Sequence, residues 1–186
     1  MQNDRRKQKT LQALSYAFLA ISETKDYRKI NVKELCERAN INRGTFYDHF
    51  LDMEDYLERF EMELADGIIG IFSQYQYDTD GRHLSVFINY ILENSSKLFI
   101  LFDHRSSGKG LEKVFTVIKE KTIPVWQKES SLSKDQAELI FAYMMKGTFS
   151  LIQEWYQTGY STDKEWLKEC LENIVKYGVY SYIYTR

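Results

Sequence analysis

Apolar side chains return every three or four residues along most of this chain. Leu11, Leu14, Phe18 and Ile21 share one helical face, which predicts a first amphipathic helix over residues 5–23. The stretch KDYRKI breaks that rhythm. Asn31 then offers an N-cap, and Val32, Leu35, Cys36 and Ala39 form the apolar stripe of a short second helix. Asn40 tolerates the left-handed backbone that stops a helix. Asn42 caps a third helix over 43–50, with the apolar Ile41 inside the turn. Two short helices joined in this way follow the helix-turn-helix pattern. Asp52 caps the next helix, whose stripe Leu57, Phe60, Leu64, Ile68 and Ile71 runs towards Tyr75. Further helices are predicted at 84–102, at 110–128 with a kink near Pro124, at 134–157 behind the cap Ser133, and over 163–184.

The expected fold class is therefore all-α. An N-terminal three-helix domain, residues 1–52, precedes a larger helical bundle, residues 53–186. The single proline and nine glycines among 186 residues agree with long helices and argue against an all-β chain. No uninterrupted apolar run reaches the roughly 18 residues of a membrane span. The charged start MQNDRRKQKT lacks the apolar stretch of a secretory signal. Cys36 and Cys170 share no short spacing and fit a reduced, cytoplasmic chain. Charge is uneven. Residues 1–50 carry 10 Lys/Arg against 6 Asp/Glu, and the remainder carries 15 against 21, so a net −2 divides into +4 and −6. A basic head on an acidic body suits a head that meets an anion such as DNA.

The stretch NINRGTFYDHF, 40–50, sharpens that reading. With about 100° per residue, Phe46 and Phe50 fall side by side on one face. Gly44, Thr45 and Asp48 occupy the opposite face, with Tyr47 and His49 at its edges. One side looks like core. The other is small in the middle and flanked by long donors, a surface built for close approach. Other chemistry is weaker. SSGKG, 106–110, lacks the glycine and lysine spacing of a phosphate loop. His49, His83 and His104 stand at no metal-ligand spacing, and no nucleophile, histidine and acid set stands out, so neither a cofactor nor an enzyme is expected.

INVKELCERANINRGTFYDHFLDMEDYL, 30–57, resembles the DNA-binding segment of the tetracycline-repressor (TetR) family of bacterial transcription regulators. MMKGTFSLIQEWYQTGYSTDKEWLKECLENI, further on, resembles the C-terminal half of one branch of that family. The resemblance implies a homodimer that binds palindromic double-stranded DNA through its first three helices and a small-molecule effector through its body. It places Arg43, Gly44 and Thr45 at base edges, where arginine matches guanine acceptors and threonine offers a hydroxyl and a methyl. Lys33, Tyr47, His49, Asn31 and Lys9 would meet phosphates, with Arg5, Arg6 and Lys7 beside them. Phe46 and Phe50 would anchor the third helix to the first. Two positions depart from the family pattern. Asn40 replaces the usual glycine, and Met53 replaces a lysine that contacts phosphate. Asp48 would accept from a cytosine amino group or restrain a neighbouring side chain.

In the body, Tyr90, Phe99, Phe102, Trp126, Phe141, Met144 and Met145 are each core side chains or, taken together, candidate linings of an adaptable effector pocket. The expected effector is apolar, neutral or cationic, because the body is acidic. Gly147 and Gly178 sit inside helical patterns and suggest close helix crossings. With Leu151, Trp155, Leu171 and Ile174 they form the candidate dimer interface, and the alternative is packing within the chain itself. The expected function is a ligand-responsive repressor. The alternative is a family-like protein-interaction module or co-activator that binds DNA weakly or not at all.

Overall fold

The computed structural model describes the backbone of residues 2–74, 82–103 and 106–179. Every regular element there is helical. The chain divides into two compact units, Met1–Phe60 and Glu61–Arg186.

The first unit holds α1 (Gln2–Ser22), α2 (Val32–Ala39), α3 (Arg43–Tyr47) and the start of α4 (Met53–Gln74). A 3-10 turn at Tyr27–Lys29 links α1 to α2, capped by Asp26, whose side chain accepts from the Arg28 N–H. Leu14, Phe18, Leu35 and Phe46 are fully buried and form the centre of this unit. Burying side chains of that size contributes about 1.5–3 kcal/mol each. Tyr56, in the first turn of α4, ties the unit together. Its ring lies 5.4 Å from Phe18, 6.1 Å from Phe46 and 5.1 Å from Phe50. The third helix is thus anchored through Tyr56, and the division between units falls inside α4 rather than at its start. That helix begins with Asp52 accepting from the Asp55 N–H, while Asp55 reaches back to the Leu51 N–H. Asp52 satisfies an N–H that the first turn leaves without a helical partner, and Asp55 one that precedes the helix.

The second unit contains the rest of α4, then α5 (Arg82–Glu93), α6 (Ser95–Phe102), α7 (Lys109–Glu129), α8 (Lys134–Gln157) and α9 (Lys164–Asn173). The helix expected over 84–102 is two helices. Asn94 donates its side-chain amide to the Tyr90 carbonyl, and its backbone leaves helical geometry at φ −106°, ψ 12°. Asparagine side chains compete with the helical backbone in this way. The third helix is shorter than the expected 43–50 and ends at Tyr47. α7 runs on through Pro124, which is exposed. α8 spans the expected residues. Ser133 accepts from the Gln136 N–H, and the Gln136 side chain accepts from the Ser133 N–H. α9 passes at Ile174 into a π-helical segment, Ile174–Val179, and residues 180–184 of the expected last helix lie outside the described residues.

Trp126, Ile88, Ile91, Leu98 and Ile118 are among the fully buried side chains of this core. Glu61 is 3% exposed, a carboxylate inside α4's apolar stripe. It accepts from the Ser107 N–H at 3.0 Å and from the Ser107 hydroxyl at 2.6 Å. A buried charge demands such partners. Gly110, beside it in α7, lies so close that a methyl there would sit 2.9 Å from the Glu61 carbonyl oxygen.

Candidate nucleic-acid interface

The turn between α2 and α3 is fixed by three asparagines. Asn31 caps α2 by accepting from the Glu34 N–H at 3.0 Å. Asn40 takes the left-handed conformation at φ 54°, ψ 47°, and its N–H closes α2 onto the Cys36 and Glu37 carbonyls. Asn42 caps α3 by accepting from the Gly44 N–H at 2.8 Å. Phe46, fully buried, and Phe50 place one side of α3 in the core, with rings 5.2 Å apart.

The opposite side therefore faces outwards. Arg43, Gly44, Tyr47 and Asp48 are exposed, and Thr45 and His49 are half-buried. Among the described residues, no hydrogen bond or ion pair holds the Arg43 guanidinium, the Thr45 hydroxyl or the Asp48 carboxylate, so Asp48 restrains no neighbour. Arg43 lies near enough to Cys36 to oppose, in part, the upward push that burial gives the thiol. Gly44 has room for a methyl, which would meet only the Asn42 side-chain oxygen at 3.4 Å. The bare backbone at Gly44 thus answers no packing demand within the chain. Lys33 and Lys9 are exposed, Lys33 in a loose 3.9 Å pair with Glu37. Such a pair contributes little in water. The Asn31 side-chain oxygen is committed to its cap. Met53 is half-buried.

The body residues separate into several places. Phe141 and Met145 line an open groove of about 690 Å³ between α7 and α8, together with Leu111, Phe115 and Ala142. Trp126 is fully buried behind Phe141, their rings 6.3 Å apart. Met144 packs partly buried against the core. Tyr90 is half-buried with its hydroxyl against Gly67, and burial pushes its ionisation up. Phe99 stacks on Tyr156 at 5.2 Å. The Phe102 side chain lies outside the described residues. The expected pocket residues do not all line one space.

Of the expected interface residues, Trp155 and Leu171 are core side chains, 8% and 1% exposed. Trp155 is held there by an indole N–H donated to the Thr162 carbonyl at 2.7 Å. Leu151 and Ile174 are exposed, and they belong to a longer exposed stripe. Leu139, Tyr143, Gly147 and Leu151 recur every four residues on α8, and Ile174, Tyr177 and Gly178 follow α9. Among the described residues, a methyl at Gly147 would meet nothing within 4 Å, so Gly147 marks no close crossing there. The sequence reading missed Glu61 and Ser107. A charge four residues after Leu57 and three before Leu64 was the available signal.

Residues 83–177 match the family TetR_C_8, the C-terminal region of a transcriptional regulator. The chain is 41% identical over 58 residues to the HTH-type transcriptional regulator YxbF of Bacillus subtilis (strain 168), a match that covers 31% of this chain and 15% of that protein. Among solved structures it is similar to a TerR/AcrR family regulator from Aquifex aeolicus VF5 (TM-score 0.72, 20% identity, 90% of this chain and 98% of that one). It is also similar to the fatty acid degradation regulator FadR from Bacillus halodurans (TM-score 0.70, 16% identity, 91% and 95%). Likenesses at these identities establish the shared helical fold. No described helix is long and apolar enough to cross a membrane. With the N-terminal helix-turn-helix and the family match over the body, the chain belongs to the TetR family of transcriptional regulators.

Proposed function

We propose that the protein is a ligand-responsive repressor that binds a palindromic operator as a homodimer. The observation that carries the DNA reading is the outer face of α3. Among the described residues, no hydrogen bond or ion pair holds the Arg43 guanidinium or the Thr45 hydroxyl, and Gly44 has room for a methyl. Arg43 and Thr45 read base edges across the bare backbone at Gly44. Tyr47, His49, Lys33 and Lys9 hold phosphates, with Asn31 contributing its amide nitrogen. The exposed stripe of α8 and α9 supports the dimer, since large apolar side chains left in water at regular spacing suit a second copy. A dimer sets two recognition helices one DNA turn apart. An effector in the second unit changes that spacing and lowers DNA affinity.

The test is a mobility-shift titration with DNA from upstream of the gene, repeated over a range of salt. Binding that weakens steeply with salt and maps to an inverted repeat supports the reading, because each neutralised phosphate releases counterions. Salt-insensitive or absent binding favours the second reading, a protein-interaction module or co-activator. That reading draws on the exposed Asp48 carboxylate and on Met53 at the start of α4.

A further inference from the structure

The face of α7 that walls the open groove continues past it. Leu111, Phe115 and Lys119 line the groove, and the same three-four spacing runs on to Thr122 and Trp126. Those two residues are 1% and 0% exposed, and neither the Thr122 hydroxyl nor the Trp126 indole nitrogen has a hydrogen-bond partner. A helical threonine commonly bonds the carbonyl four residues back, here Ile118, and this one does not. Two unpaired polar groups one turn apart in a core are unusual and demand a reason. Phe141 connects them to the groove, since it lies in the groove lining and packs edge-on to Trp126 at 62°.

We propose that the groove and the Thr122–Trp126 pair form one ligand site, whose ligand is an uncharged, largely apolar molecule with a carbonyl-type oxygen. This rests on the reading that the second unit binds an effector, and it names the effector's chemistry. An indole N–H only donates, so the ligand atom facing it must accept. The buried residues of the surrounding cluster are apolar, so a carboxylate or phosphate brought there meets no compensating charge. At the groove, Lys119 is taken by Glu138 at 3.3 Å. The remaining rim charges, Glu112, Asp135 and Lys146, sum to a negative value and disfavour anions. Apolar contacts along Leu111, Phe115 and Met145 hold the body of the molecule, and displacement of the Phe141 ring lets its oxygen reach the pair.

Prodan, an uncharged naphthalene ketone whose emission moves to the blue in apolar surroundings, is the probe, with anilinonaphthalene sulfonate as the anionic comparison. Prodan is expected to bind the free protein and to shift the Trp126 indole N–H resonance, assigned with Trp126→Phe. Thr122→Val, which keeps the shape and removes the hydroxyl, should weaken binding about fivefold, the effect of one neutral hydrogen bond. Its thermal midpoint without probe should not fall, because the hydroxyl has no partner to lose. Ala142→Trp fills the groove and should abolish binding. Unchanged affinity in both variants, an unmoved Trp126 resonance, preference for the sulfonate, or a long-lived water on the Trp126 indole in the free protein would each overturn the proposal. Binding is read without DNA, and DNA shift is read without probe. Loss of prodan binding with DNA binding intact therefore removes this site and leaves the regulator. Prodan binding that never releases DNA leaves the site and removes the coupling.

Discussion

Both oxygens of the Glu61 carboxylate are held by Ser107, one by its N–H and one by its hydroxyl. The bond joins α4 to the segment that leads into α7, and the carboxylate is almost wholly buried. Ser107→Ala keeps the N–H bond and strips one oxygen of its partner. Hydrogen bonds to charged groups contribute about 1.5–3 kcal/mol, and the variant should lose stability on that scale. Urea midpoints check this. A midpoint within error of the parent would mean that Glu61 finds water or another donor.

Two helical glycines make opposite predictions. A methyl at Gly110 would sit 2.6 Å from Leu101 and 2.9 Å from the Glu61 carbonyl oxygen, and the latter is backbone that cannot turn aside. Gly110→Ala should cost about 1–3 kcal/mol, because overpacking exceeds the gain in helix propensity. Gly147 faces open space, so Gly147→Ala should leave a protomer about 1 kcal/mol more stable. Denaturation of the two variants side by side gives the sign of each.

On the recognition helix, Gly44→Ala should fold at least as well as the parent and bind DNA poorly, since the added methyl meets the Asn42 side-chain oxygen only at 3.4 Å and would stand where the backbone approaches DNA. Arg43→Ala should blur preference at one base pair by about 1–3 kcal/mol, whereas Tyr47→Ala weakens all sequences alike. Binding-site selection on the three variants separates these roles. An unchanged preference in the Arg43 variant would falsify its place at a base edge.

Asp55 gives a pH dependence with a definite sign. The Leu51 N–H first, and the Arg59 side chain second, hold its carboxyl below the ordinary aspartate range. A depressed carboxyl lends its stabilisation above the unfolded value and loses it as pH falls through the folded one. The Leu51 amide resonance should therefore titrate with a midpoint below about 3.9. In Asp55→Asn that titration should vanish. A midpoint at or above the ordinary value contradicts the assignment.

The proposed dimer face separates from the core in two neighbours. Ile174 is 40% exposed and Leu171 is 1% exposed. Ile174→Glu should give a helical monomer that has lost operator binding, read by equilibrium sedimentation and circular dichroism. Leu171→Ala should cost about 2–5 kcal/mol of stability through its cavity without a specific effect on assembly. An Ile174 variant that stays dimeric moves the interface off this face.

Much of the fold was legible because its signals are local. Ser133 with Gln136 marks the start of α8, and Asn31, Asn40 and Asn42 mark the recognition turn, each through a side chain that bonds its own neighbourhood. The outer face of α3 was readable for the same reason, since Phe46 and Phe50 fix its rotation. The break at Asn94 was hidden because one amide decides it inside a long apolar run. Trp155 and Leu171, both buried in the protomer, could be read as core or interface, because an apolar stripe says that something covers it, not what. Thr122 carried no sequence signal, for its meaning lies in a bond it does not make.

The π-helical segment at the end of α9 works as a change of gear. Leu167, Leu171, Val175 and Val179 are all buried at steps of four. Uninterrupted α-winding would drift away from such a stripe and bring Ile174 and Gly178 inwards in place of Val175 and Val179. The π turn takes more residues per revolution and absorbs the drift. It behaves as a single-residue insertion that the core never notices, because Val175 and Val179 supply the two core positions in place of the side chains before them. What it alters is the outside. Two positions that ordinary winding would hide are turned to the surface, and the exposed stripe owes Ile174 and Gly178 to that one wide turn.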